Sequence, residues 1–182
     1  MPPDGYDYPP LALRLLGPMS MLSQLSVGGS LMIVAVGTDH AGFELKGEIV
    51  RWLKSQGHQV NDVGAYEFDA NDDYPDFAVA VADALLSGGS EKGIVLCGSG
   101  VGACITANKV KGIRACLCHD TYSARQGVEH DDMNVICIGG RIIGVDLAKV
   151  VLEAFLNAKF IPEPRFQRRL DKIMRVEKDG LL

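Results

Sequence analysis

GIVLCGSGVGACITAN, running from Gly93 to Asn108, is the stretch whose reading decides the fold. Ile94, Val95 and Leu96 predict a short buried strand, and the glycines from Gly98 to Gly102 exclude regular structure. Ala103 to Lys109 suit the start of a helix. A strand that passes through a glycine loop into a helix belongs to a parallel α/β sheet, and such sheets bind ligands at the carboxyl ends of their strands. Cys97 therefore stands on the rim of a candidate site. It reads either as a low-pKa base or nucleophile beside backbone N–H donors, or as a buried structural thiol.

Working outward, β-branched runs alternate with helical patterns from Met32 onward. Strands are expected at 33–36, 59–63, 93–96, 114–118 and 134–138. Helices are expected at 42–56, 74–87, 101–110, 123–129 and 145–158. Pro75 suits the first turn of the second helix, with Asp73 as a possible cap. Five strands alternating with helices predict a Rossmann-like α/β/α sandwich on a five-stranded parallel sheet. Pro162 and Pro164 precede a last helix, 165–177, whose Phe166, Leu170, Ile173 and Met174 form one flank opposite a basic one. That pattern reads as a helix docked on a partner copy. Residues 1–31 differ in character, with Pro2, Pro3, Pro9, Pro10 and a Met/Leu/Ser-rich stretch ending in Gly28-Gly29. They are expected to be a flexible extension to a single domain over 32–182.

Composition bounds the function. With 47% hydrophobic and 23% charged residues and no apolar run of about 18 residues, neither disorder nor a membrane span is expected. A net charge of −5 argues against a nucleic-acid surface, although Arg165, Arg168, Arg169 and Lys172 form a local basic cluster able to grip a phosphate. Five cysteines without a small disulfide frame suggest a reducing, cytoplasmic compartment. Cys116, Cys118 and His119 invite a metal-site reading, but no second ligand pair at metal-site spacing exists, and strand packing is the better account.

The expected sheet brings Asp39 and His40, Cys97 and Ser99, His119 and Asp120, and Arg141 to one edge, because each follows a strand. His130 and Asp131 fall at the opposite end of the fourth helix, where a neighbouring subunit's site is the easier one to serve. Each residue also has a plainer reading: His40 as a loop or cap histidine, His130 as a surface one, Arg165 and Arg169 as a solvated helix face. Gly98-Ser99-Gly100-Val101-Gly102-Ala103 fits the dinucleotide fingerprint, with Asp120 near the position of a ribose-binding acid, but it follows the third strand and not the first. A nucleophile elbow fails because Cys97, and not glycine, stands two residues before Ser99.

The ordered set Asp39-His40-Ala41-Gly42, Asp73-Tyr74-Pro75-Asp76, Cys97 to Gly102, Ala107-Asn108-Lys109, Gly112 to Ala115, Tyr122-Ser123-Ala124 and Asn134-Val135 resembles the RpiB/LacAB family of sugar-phosphate isomerases, over about residues 32–177. The pattern is most like the family's type B ribose-5-phosphate isomerases. The resemblance implies interconversion of ribose 5-phosphate and ribulose 5-phosphate through an enediolate, with no metal or cofactor, in a homodimer or homotetramer whose active site is shared between subunits. It implies Cys97 as base, with the loop Gly98, Ser99, Gly100, Val101 and Gly102 binding the enediolate oxygen. It further implies Asp39 and His40 as substrate contacts, His130 for ring opening from the partner, and Arg165 and Arg169 on the phosphate, with Arg141 at a further arginine position. Asp131 replaces an asparagine of the pattern, Ser99 a frequent threonine, and Phe166 a histidine of many ribose-specific members. Ser99 preserves the hydroxyl, whereas Asp131 and Phe166 keep galactose or allose 6-phosphate as alternative substrates. From a different class, a non-catalytic module binding a nucleotide or sugar phosphate fits the same loop.

Overall fold

The computed structural model describes residues 31–180. Except for Leu31, the extension expected over 1–31 lies outside the described residues. Five strands, β1 (Ile33–Thr38), β2 (Gln59–Asp62), β3 (Lys92–Cys97), β4 (Ala115–Leu117) and β5 (Val135–Gly139), form one parallel sheet in the order β2-β1-β3-β5-β4. Helices α1 (Phe43–Ser55), α2 (Tyr74–Leu86), α3 (Val101–Ala107), α4 (Thr121–Asp131), α5 (Val145–Asn157) and α6 (Pro164–Asp179) complete the chain.

Alternation along the strands divides the core in two. Val34, Val36, Ile94, Leu96, Ile136 and Ile138 face α1, α4 and α5, where Ile49, Leu53, Val128, Leu152 and Phe155 meet them. Ala35, Val95, Cys97, Val135 and Cys137 face α2 and α3, which cover them with small residues: Ala78, Ala82, Ala103 and Ala107. The expected three-layer sandwich is thus formed, and Cys97 points into its thinner, alanine-lined layer.

Several boundaries differ from expectation because side chains intercept the backbone. β4 is only Ala115–Leu117: the Arg114 N–H donates to Asn134 Oδ1 at 2.8 Å, outside the strand ladder. α3 stops at Ala107, where Asn108 turns back to bond both the N–H and the C=O of Ala115 at 2.9 and 2.8 Å. α4 is longer than expected because Asp120 caps it, its Oδ1 accepting from the Ser123 N–H at 2.7 Å. Asp73 holds the N-cap position of α2 but makes no side-chain capping bond. α6 docks within its own chain, through its first two turns and again at Glu177 near its end. Phe166 and Leu170 are buried in those two turns, the helix packs on α4, and Glu177 accepts from the Gly112 N–H at 2.7 Å. Ile173, Met174 and Val176 stay about 40% exposed, so the remaining apolar flank is open.

Candidate active site

β3 ends in Cys97, and the chain must turn at once into α3. Gly100 makes that turn with φ +81°, a left-handed conformation that suits glycine, and a Cβ there would run into Leu117 and the backbone of Gly139. The turn brings the Gly100 N–H to 3.0 Å from Cys97 Sγ, which is 4% exposed. Ser99 Oγ accepts from the Val101 N–H at 3.3 Å. The N–H groups of Gly102 and Ala103, at the start of α3, have no partner among the described residues. A buried sulfur therefore lies beside a set of backbone donors, of which two remain available to an anionic oxygen.

Two neighbouring strand ends complete this edge. After β1, Asp39 is buried and its Oδ1 accepts from the N–H groups of Ala41 and Gly42 at 3.0 and 3.3 Å. Burial pushes its carboxyl above the usual range, opposed by those two bonds and by His40. His40 is held by Asp72, whose Oδ1 meets His40 Nδ1 at 2.7 Å and its backbone N–H at 2.9 Å. That carboxylate raises the imidazole pKa above its ordinary value. After β5, the Arg141 N–H donates to Gly98 O at 3.0 Å, and the arginine side chain runs alongside Gly98. A cleft of about 530 Å³ beside this edge is lined by His40, Glu44, Phe68, Gly140 and Arg141 among others, room enough for a sugar phosphate.

Asp72 and Tyr74 belong here although the sequence did not single them out as site residues. The Tyr74 ring lies so close to Gly102 that a Cβ on that glycine would come within 2.5 Å of it, which places the phenol over the loop. The signal was the run Asp72-Asp73-Tyr74-Pro75, where a helix start returns a carboxylate and a phenol to the sheet edge.

Two residues expected near the cleft are used otherwise. Asp120 is the α4 cap described above, its Oδ1 committed to the Ser123 N–H. His119 Nε2 accepts from the Gly139 N–H at 2.9 Å, tying β4 to β5. Among the described residues no three His, Cys, Asp or Glu side chains are grouped to hold a metal ion, so Cys116, Cys118 and His119 form no metal cluster.

The remaining predicted residues gather elsewhere. α4 starts at the carboxyl edge of the sheet and runs back to the opposite edge. There Arg114, just before β4, bonds the C=O of Asp132 and its carboxylate, both at 2.6 Å. His130 lies in the last turn of α4, its ring stacked on Phe166 with centroids 3.8 Å apart. Arg165 lies 4.3 Å from the Phe166 ring and 3.1 Å from Glu163, and Arg169 is exposed one turn further along α6. Asp131 faces a second groove, of about 510 Å³, with Cys116, Ile173 and Glu177. The candidate residues of one chain thus fall into two separate groups, candidate half-sites: Asp39, His40, Cys97, the loop to Gly102 and Arg141 on one edge, and His130, Arg165 and Arg169 on the other.

The fold is a parallel α/β sheet with Cys97 and a glycine loop at its carboxyl edge, and comparison with known proteins gives the family. The chain belongs to the Ribose/Galactose Isomerase family, whose profile matches residues 34–173. It is 42% identical over 144 residues to ribose-5-phosphate isomerase B of Escherichia coli, covering 79% of this chain and 95% of that one. It is 41% identical over 150 residues to the galactose-6-phosphate isomerase subunit LacB of Clostridium acetobutylicum, covering 81% and 86%. Among solved structures, ribose-5-phosphate isomerase B of Mycoplasma genitalium with bound ribulose 5-phosphate superposes with a TM-score of 0.75 at 42% identity, covering 81% of this chain and 97% of that one.

Proposed function

We propose that this chain is a metal-independent aldose–ketose isomerase that interconverts ribose 5-phosphate and ribulose 5-phosphate. The observation that carries the reading is the Cys97 sulfur, buried beside the Gly100 N–H with the free N–H groups of Gly102 and Ala103 close by in the chain. Isomerisation needs one base able to reach two adjacent carbons and donors where a carbonyl becomes an oxyanion. The Cys97 thiolate takes the proton from C2 of the open-chain aldose. The C2–H electrons form the C1–C2 double bond, and O1 becomes the oxyanion that the loop N–H groups and the Ser99 hydroxyl stabilise. Returning the proton to C1 while the O2 proton passes to O1, so that C2 becomes the carbonyl and O1 the hydroxyl, gives the ketose. Losing such donors costs on the order of 10²-fold or more in rate.

Asp39, His40 and Arg141 hold the substrate in the cleft. Asp72 fixes the orientation of His40, so its Nε2 is the ring atom left for the substrate. Because His130, Arg165 and Arg169 lie at the opposite edge, a second copy supplies them: His130 to open the furanose ring, the arginines to bind the phosphate. The working unit is therefore at least a dimer with shared sites. The catalytic domain is residues 32–182, residues 1–31 are an extension to it, and the cytoplasm is the compartment that five unpaired cysteines suit.

A second reading, isomerisation of a hexose 6-phosphate, is favoured by Phe166. It is buried against His130 and supplies no polar group to a sugar or phosphate. Turnover of ribose, allose and galactose 6- or 5-phosphates in the presence of EDTA, alongside thermal shifts with the same sugars and NAD, tests both. Conversion of ribose 5-phosphate is expected. Conversion of a hexose phosphate alone supports the second reading, and stabilisation by NAD without turnover overturns both.

A further inference from the structure

His130 is held in two independent ways. Its plane is set by Phe166, which is 2% exposed and stacks on the imidazole at 3.8 Å with the rings 18° from parallel. Its rotation within that plane is set by Gln126, one turn earlier on α4, whose Nε2 lies 2.7 Å from His130 Nδ1. Residues four apart on a helix meet readily, and a surface pair of this kind carries little meaning alone. Here the stack removes the ring's freedom to turn away, so the amide contact decides which nitrogen bears the proton. An amide N–H donates only to a nitrogen with a lone pair. With the amide nitrogen placed on this side, Nδ1 is the acceptor and the neutral ring carries its hydrogen on Nε2.

We propose that Gln126 and Phe166 are positioning residues that fix His130 as the Nε2–H tautomer, so that it presents a hydrogen-bond donor to the ring oxygen of a furanose sugar phosphate. This rests on the isomerase reading above. The chemistry matches: the ring oxygen of a furanose carries two carbons and no hydrogen, so it accepts only, and a lone pair on Nε2 would repel it. Neither residue touches the reacting atoms; both act through His130. The departure of Phe166 from histidine then has a physical sense, because an apolar ring gives the stack a face with no competing hydrogen-bonding atoms.

Nitrogen-resolved NMR of the imidazoles at about pH 8.5, where a free histidine is neutral, tests the tautomer directly. The chain has four histidines, and the His130 signal is the one lost in His130→Asn. Wild type is expected to show Nε2 protonated and Nδ1 bare. Gln126→Glu, an acceptor, is expected to move the proton to Nδ1, and Gln126→Leu to give a mixture. A proton on Nδ1 in wild type overturns the proposal.

Kinetics supply a readout that a merely structural role does not move. On ribose 5-phosphate, Gln126→Leu is expected to lose on the order of 10-fold in kcat, part of what acid–base assistance supplies. On D-erythrose 4-phosphate, whose O4 carries the phosphate and which cannot close a five-membered ring, the same variant is expected to match wild type. Equal loss on both sugars overturns the positioning role. If wild type turns over neither sugar, the isomerase reading fails, while the NMR still decides the tautomer.

Discussion

Cys97 Sγ accepts a hydrogen bond from the N–H of Gly100, three residues on, at 3.0 Å. The bond closes the turn after β3, and Gly100, at positive φ, then leads the chain into α3.

Gly100→Ala should break that arrangement. The new methyl meets Leu117 and the Gly139 backbone, and the left-handed conformation adds strain, so a loss of about 1–3 kcal/mol is expected together with most of the activity. Denaturant unfolding and turnover of the purified variant check both.

The His40–Asp72 pair gives stability a defined pH dependence. The folded state raises the His40 pKa above 6.5, so it binds the proton more tightly than the unfolded chain does. The resulting stabilisation is full below pH 6.5 and is lost as pH rises through the folded pKa. Asp72→Asn should therefore lower Tm most near about pH 6, with the difference from wild type shrinking by about pH 9. Melting curves across that range decide it, and a difference that grows toward high pH contradicts the pairing.

If the two half-sites belong to different copies, inactive variants should complement. Cys97→Ala and His130→Ala are each expected to be silent alone. Unfolded and refolded together, they should recover about a quarter of wild-type activity, because half the dimers are mixed and each mixed dimer keeps one intact site of two. No recovery from a verified mixed dimer contradicts a shared site.

The sheet was legible because β1, β3 and β5 are apolar runs buried on both faces, a pattern that periodicity and β-branched residues announce. Cys97 and its glycine loop were legible for the same reason: they sit where such a run must stop. Less legible were features set by side chains reaching across the fold. Nothing local in Arg114-Ala115 tells that Asn134 and Asn108 bond its amides and shorten β4. Asp72 lies in the run that starts α2, which returns a carboxylate to the sheet edge, but no sequence pattern pairs it with His40, 32 residues away. The apolar flank of α6 was visible, but pattern alone did not say that Phe166 and Leu170 bury it against α4 of the same chain while Ile173 and Met174 remain open. Gln126 had a signal, its four-residue spacing from His130 on a helix, and acquired meaning only with Phe166 fixing the ring.

The role of Cys97 is tested most directly by assaying ribose 5-phosphate conversion with EDTA present, in wild type and in Cys97→Ala shown to be folded by its melting curve. The account predicts turnover in wild type and a loss on the order of 10²-fold or more in the variant. A folded Cys97→Ala that keeps turnover within about tenfold of wild type contradicts the thiolate as the base.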